Sequence, residues 1–155
     1  MFNFKADMFM SKDILQLWKT IRNSLTSDLT DIEQLEIVTK FWSFAPLQSR
    51  ILDWDKPTEW PSPWELIGDK NYDESSIAVA MMYTLLFGND GRWNSSNLRL
   101  ILATDRVNSI QNVMLVVKDT WLLNYEYAKI SDWAGIKNNL HIHHRYNYNN
   151  DNKFK

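Results

Sequence analysis

The chain has 155 residues, of which 45% are hydrophobic and 23% are charged, and its formal net charge is -2. This size and composition are typical of one globular domain and exclude an intrinsically disordered chain. The small negative charge gives no basic field, so binding to nucleic acid through the phosphate backbone is not expected. The absence of cysteine excludes disulfides, thiolate metal sites and a cysteine nucleophile.

Aromatic content and the first residues add two expectations. Eight tryptophans in a chain of this length favour a protein-binding surface in addition to a core. The opening run MFNFKADMFM is interrupted by Lys5 and Asp7. We therefore expect neither a signal-peptide core nor a membrane span there, and no membrane partner.

The first third of the chain predicts a helical hairpin over 11–45. Ser11 is a candidate cap for a first helix whose apolar residues fall on one face: Ile14, Leu15, Trp18, Ile21 and Leu25. Thr30 and Glu33 form a capping-box pattern that opens a second helix through about Trp42. Pro46 ends the hairpin.

The stretch from Trp60 to Gly88 predicts the centre of the fold. Ser62, a proline and Glu65 match a second capping box that starts a helix of little more than one turn. Asp73 is the candidate N-cap of the next helix, which is apolar on every side from Ile77 to Phe87. Such a helix is normally buried, so 73–87 is expected to be the core helix.

After Gly88 the apolar period changes from helical to strand-like. Strands are predicted over 98–103, 112–117 and 121–127, and the last two form an antiparallel hairpin. Ser131 is a candidate cap of a short helix containing Trp133. Residues 140–148 predict a final edge strand, and the polar run 149–155 predicts a disordered tail.

The hairpin NVMLVVKDTWLLNYEY carries a family resemblance. It resembles the strand–turn–strand H-x-W-x-x-V, then W-x-x-x-D, of the transglutaminase-like superfamily, relatives of papain, over roughly 60–127. In that family a cysteine at the start of the central helix, a histidine and an aspartate form the catalytic triad. On this resemblance Asp73, give or take a residue, stands in the place of the cysteine, Asn112 in that of the histidine and Asn124 in that of the aspartate.

The resemblance implies a degenerate triad and no catalysis. Asparagine is not a general base at neutral pH, and a carboxylate that caps a helix is a poor nucleophile. The run WPSPWEL and the capped helix after it are also similar to small proteins of tailed bacteriophages. That similarity implies a virion component that binds other phage structural proteins and that is found in the host cytoplasm during assembly.

Three other groups of residues are alternative candidate sites. Ser75 or Ser76 with His141, His143 or His144 would make a serine-dependent hydrolase or acyltransferase, although serines in a first helical turn usually satisfy free N–H groups. The three histidines lack the further ligands that a metal site needs. Asp53 and Asp55 are a carboxylate pair more typical of a turn than of a cation site.

We therefore predict an α+β fold: a helical hairpin and a buried central helix packed on a small antiparallel sheet, in one domain over 1–148 with a C-terminal extension at 128–148. No cofactor and no metal are expected. The predicted protein-binding residues are aromatic: Trp60, Trp64, Tyr146, Tyr148 and Phe154. The tail 149–155 is predicted to become ordered only against a partner.

Overall fold

The computed structural model describes residue 9 and residues 13–48, 52–149 and 154–155. The helices are α1 (Ile14–Asn23), α2 (Asp31–Ser43), α3 (Pro63–Gly68), α4 (Glu74–Leu86) and α5 (Trp133–Ile136). The strands are β1 (Leu98–Asp105), β2 (Ile110–Val117), β3 (Trp121–Leu123), β4 (Ile130–Asp132) and β5 (Leu140–Tyr146). Short 3₁₀ turns lie at Pro57–Glu59 and Lys137–Asn139.

The capping predictions for α2, α3 and α4 are confirmed. Thr30 and Ser62 each accept a hydrogen bond from the backbone of the glutamate three residues on, and that glutamate returns the bond. The Asp73 side chain accepts from the Ser76 backbone N–H at 2.7 Å, and the Ser76 side chain completes a third capping box. These caps satisfy N–H groups that a helix leaves free, so each start is fixed locally.

The first helix departs from the prediction in two places. Its N-cap is Asp13, whose side chain makes no capping hydrogen bond, and the predicted cap Ser11 lies outside the described residues. Leu15 was expected on the buried face but is 37% exposed. It is adjacent to the buried Ile14 in the sequence, and neighbouring residues on a helix point about 100° apart, so both cannot face the core directly.

The described strands form one antiparallel sheet in the order β4-β3-β2-β1-β5. The predicted hairpin of β2 and β3 and the edge strand β5 are confirmed. The third strand was expected to run to 127 but ends at Leu123, because Asn124 has a left-handed φ of 66° that breaks the extended backbone. The strand β4 was not predicted; Ser131 lies within it, and Asp132 is the N-cap residue of α5.

The sheet separates a large core from a small one. Ten consecutive residues of α4, from Ser76 to Leu85, are buried on the side of the large core. The small core, on the opposite face of the sheet, contains Trp133 from α5. The predicted core helix is thus confirmed, and so is the α+β architecture. None of the described helices is both long and apolar enough to cross a membrane.

The C-terminal end packs back on the domain. Tyr148 and Phe154 form an isolated antiparallel bridge, and the backbones of Asn147 and Lys155 exchange two hydrogen bonds of 3.2 and 2.9 Å. Phe154 is 1% exposed and belongs to the large core. The prediction that the tail 149–155 becomes ordered only against a partner is corrected here: its described end, 154–155, packs in the fold of the chain itself, and residues 150–153 lie outside the described residues.

Candidate functional site

Asn112 and Asn124, two of the three positions singled out by the resemblance, meet at the start of α4. The Ser75 hydroxyl, in the first turn of the helix, donates to Asn112 Oδ1 of β2 at 2.6 Å. Asn112 Nδ2 in turn approaches the backbone oxygen of Asn124 at 3.4 Å. A short chain of hydrogen bonds between uncharged groups therefore joins the start of α4, strand β2 and the end of β3. We call this region, formed by Ser75, Asn112 and Asn124, the corner.

Asn124 holds this corner together. Its side-chain amide donates to the backbone oxygen of Glu74 at 2.7 Å and to that of Val113 at 2.9 Å. One amide thus ties the first turn of α4 to β2. The left-handed φ of 66° at Asn124 is a conformation that asparagine tolerates better than most residues.

Asp73 does not take part in this chain. Its carboxylate caps α4 through the Ser76 backbone, and the side chain that meets Asn112 belongs to Ser75, two residues further on. The two serines of the first turn also divide their roles. Ser76 satisfies the N–H of Asp73 at 2.9 Å as expected, whereas Ser75 bonds across to the sheet.

The chemistry of this corner is that of hydrogen bonding and not of proton transfer. An amide oxygen accepts a hydrogen bond but does not take up the proton of a hydroxyl at neutral pH, so Asn112 does not activate Ser75. Within the described residues no hydrogen bond joins Ser75 to a histidine, a lysine or a carboxylate. Asn112 and Asn124 line a cavity of about 200 Å³ that Glu74 also borders.

The histidines lie elsewhere. His143 Nε2 is 2.7 Å from Thr104 Oγ1, and the His141 ring is edge-on to the His143 ring with the two ring centroids 4.7 Å apart. His144 Nε2 is 3.7 Å from Asp55 Oδ1. All three are exposed and stand on β5, with β1 between β5 and the Asn112 strand. Two strand spacings are about 10 Å, so the structure does not bring a histidine to Ser75.

The carboxylate pair at Asp53 forms a turn. Asp53 Oδ1 accepts from the Asp55 backbone N–H at 3.0 Å, which is the turn geometry favoured for this pattern. In the described part of the chain no group of three or more histidines, aspartates and glutamates is placed to hold a metal ion.

The aromatic residues predicted to bind a partner divide into two sets. Tyr146, Tyr148 and Phe154 are 2%, 8% and 1% exposed, so they are core residues and that prediction is corrected. Burial raises the pKa of Tyr146 to about 12. Trp60 is half-buried against Tyr146 with ring centroids 4.8 Å apart, whereas Trp64 is 47% exposed. Of the five residues, Trp64 is the only one that is exposed, with close to half of its surface accessible.

The fold of this chain is similar to that of solved structures of a bacterial protein. The chain matches Legionella pneumophila LapG with a TM-score of 0.65 and 21% identity, over 96% of this chain and 78% of that chain. An EGTA-treated form matches at 0.64 and 21%, over 96% and 76%, and a calcium-bound form at 0.65 and 20%, over 95% and 85%.

These likenesses define the fold as transglutaminase-like and confirm the fold class inferred from the hairpin. At this identity they establish the fold alone. No protein-family profile matches the sequence, and neither does any protein of curated function.

Proposed function

We propose that this protein is a non-catalytic member of the transglutaminase-like fold that acts by binding other proteins. The observation that carries the proposal is the hydrogen bond from Ser75 to Asn112, which joins a weak nucleophile to a group that is not a base. A serine nucleophile needs a base within about 2.6–3.2 Å. An amide occupies that place here.

Enzyme assays on the purified protein test the absence of catalysis. We expect neither hydrolysis of peptides and activated esters nor transamidation of glutaminyl peptides above the uncatalysed rate. Ser75→Ala provides the decisive variant, and Ser95→Ala, at an exposed serine, is the matched control. Activity that Ser75→Ala abolishes and Ser95→Ala retains would restore the serine-hydrolase alternative.

The biological setting is a second proposal: a bacteriophage virion, with other phage structural proteins as partners and assembly in the host cytoplasm. It is supported by the similarity of WPSPWEL to small phage proteins and by the abundance of tryptophan. Gradient-purified particles should contain the protein at a fixed ratio to the major structural proteins. Protein that remains entirely at the top of the gradient would contradict this setting.

Trp64 is the candidate residue for contact with the proposed partner proteins. Its ring packs edge-on against Trp18 at 5.6 Å and Phe87 at 5.2 Å, which fixes its orientation, and 47% of the residue stays exposed. Rigid, partly exposed aromatic rings are typical anchors of protein interfaces. Trp64→Ala should reduce co-purification with particles, whereas Tyr127→Ala, at a residue that is 75% exposed, should not.

A further inference from the structure

A groove of about 760 Å³ runs between α2 and the edge strand β4. Its helix wall is formed by Ile32, Glu36, Thr39, Lys40 and Ser43, and its sheet wall by 128–132 with Thr120 and Trp121 at its base. The end at Ser43 and Ala128 adjoins the smaller cavity that Asn112 and Asn124 line. A helix facing an edge strand across an open groove is the geometry in which other domains bind an added strand.

The outer edge of β4 has backbone groups free for such pairing. The Trp133 N–H donates to the Thr120 oxygen at 3.1 Å, and hydrogen-bonded pairs alternate along an antiparallel ladder. Leu122 and Ser131 are therefore bonded to each other, while the N–H groups of Ile130 and Asp132 point away from β3. In the described sheet no strand lies beyond β4.

The groove wall also holds an unsatisfied hydroxyl. Thr39 is 4% exposed, lies on the helix wall, and its Oγ1 makes no hydrogen bond. A buried polar group without a partner is uncommon and costs free energy. The hydroxyl is thus a polar atom left unpaired beside an open groove.

Charge is distributed unevenly along the groove. Lys40 and Lys129 stand toward the end that Ser43 and Ala128 define, and Glu36 and Asp132 stand toward the other end. Lys129 is also paired with Glu126 at 3.3 Å, but both side chains are more than half exposed, so that pair is weak. The N-terminal end of a strand antiparallel to β4 would lie at the acidic end of the groove, and its C-terminal end would lie at the basic end.

We propose that this groove binds an extended segment of a partner protein, which adds to the outer edge of β4 as an antiparallel strand and is basic at its N-terminal end and acidic at its C-terminal end. The inference rests on the proposed protein-binding function and gives it a second surface, on α2 and β4 and distinct from Trp64. The partner's backbone pairs with Ile130 and Asp132, and its terminal charges face Glu36 and Lys40.

Two labelled peptides test the proposal by fluorescence anisotropy on the full chain: KTVTE and the charge-reversed ETVTK, both with blocked ends. The two charges of each peptide are four residues apart, so they lie on the same face of an extended strand. KTVTE should bind about fivefold more tightly than ETVTK, because its two end charges face charges of opposite sign in the groove, whereas those of ETVTK face like charges. Amide NMR signals of Ile130 and Asp132 should shift on binding. Failure of both peptides to bind at millimolar concentration would overturn the proposal.

Two controls separate strand pairing from general stickiness. Methylation of backbone nitrogens on one set of alternate peptide residues should abolish binding, and on the other set should not, because only one set faces β4. In the double variant Glu36→Lys, Lys40→Glu, the helix wall is reversed and the preference between the peptides should disappear. Equal tolerance of both methylated sets, or an unchanged preference, would contradict the proposal.

The same double variant is expected to fold as stably as the unmodified chain. Its melting temperature should match that of the unmodified chain, since Glu36 and Lys40 lie on the groove wall and not in the core. Co-purification with particles separates this inference from the proposed function. If the unmodified chain co-purifies with particles but binds neither peptide, the groove is rejected and the proposed function still stands.

Discussion

Thr84 accepts hydrogen bonds from two buried tryptophans, and its replacement by valine is the sharpest test of how the core is held together. Trp18 Nε1 and Trp42 Nε1 each donate to Thr84 Oγ1 at 3.0 Å, and that hydroxyl donates to the Ala80 oxygen at 2.7 Å. A threonine hydroxyl has two lone pairs and one proton, so its hydrogen-bonding capacity is fully used. Three helices, α1, α2 and α4, meet at this one oxygen.

Thr84→Val retains the shape of the side chain and removes the acceptor. Two buried indole N–H groups then lack a partner, at about 1–3 kcal/mol each, so the free energy of unfolding should fall by about 2–6 kcal/mol. The total free energy of unfolding of a domain of this kind is about 5–15 kcal/mol, so the expected loss is a large fraction of it. Urea denaturation followed by tryptophan fluorescence should show a lower midpoint with an unchanged slope.

Thr39→Val is the matched control. Thr39 is also a buried helical threonine, but its hydroxyl has no hydrogen-bond partner, so its loss should leave the free energy of unfolding unchanged within about 0.5 kcal/mol or raise it. Thr84→Ser keeps the acceptor and should cost only about 1 kcal/mol for the lost methyl group. Equal destabilisation by Thr84→Val and Thr39→Val would show that the shared acceptor contributes nothing.

Three further outcomes are expected. Ser62→Ala should lower the free energy of unfolding by about 1 kcal/mol through loss of a cap, whereas Met81→Asp, which puts a carboxylate in the core, should prevent folding; circular dichroism and denaturation compare the two. Hydrogen bonds, first that from Tyr125, hold the pKa of the Asp105 carboxyl below its usual value. The stability that they provide is therefore present above about pH 4 and lost as the pH falls, and an acid titration of Tyr125→Phe should show a smaller loss. Phe154→Ala should cost about 3–5 kcal/mol in thermal or urea unfolding, since the ring is buried; an unchanged midpoint would mean that the C-terminal end is not part of the core.

Local signals were sufficient to predict the central helix and the hairpin. Three capping boxes and an uninterrupted apolar run define where α2, α3 and α4 begin and which of them is buried. The turn at Lys118 and Asp119, both with left-handed φ, joins β2 to β3 as the polar residues there predict. These features depend on residues a few positions apart, which is why the sequence contains them.

Other features depend on contacts between distant parts of the chain. The strand β4 has only three residues, and it is a strand only because Ser131 pairs with Leu122. The cap of α4 and the residues of its first turn are all polar, so the sequence pattern does not show whether Asp73 or Ser75 contacts Asn112. Phe154 lies in a polar tail, and its place in the core is determined by the distant Trp60 and Tyr83 rings, 5.0 and 5.6 Å away.

The amide of Asn124 would make a catalytic triad difficult to build at this place by single mutations. It donates to two backbone oxygens, those of Glu74 and Val113, and a carboxylate has no proton to donate to either. Asn124→Asp would therefore place a negative charge against two carbonyl oxygens before any histidine at position 112 existed to benefit from it. A mutational route toward a working triad would therefore pass through a less stable protein.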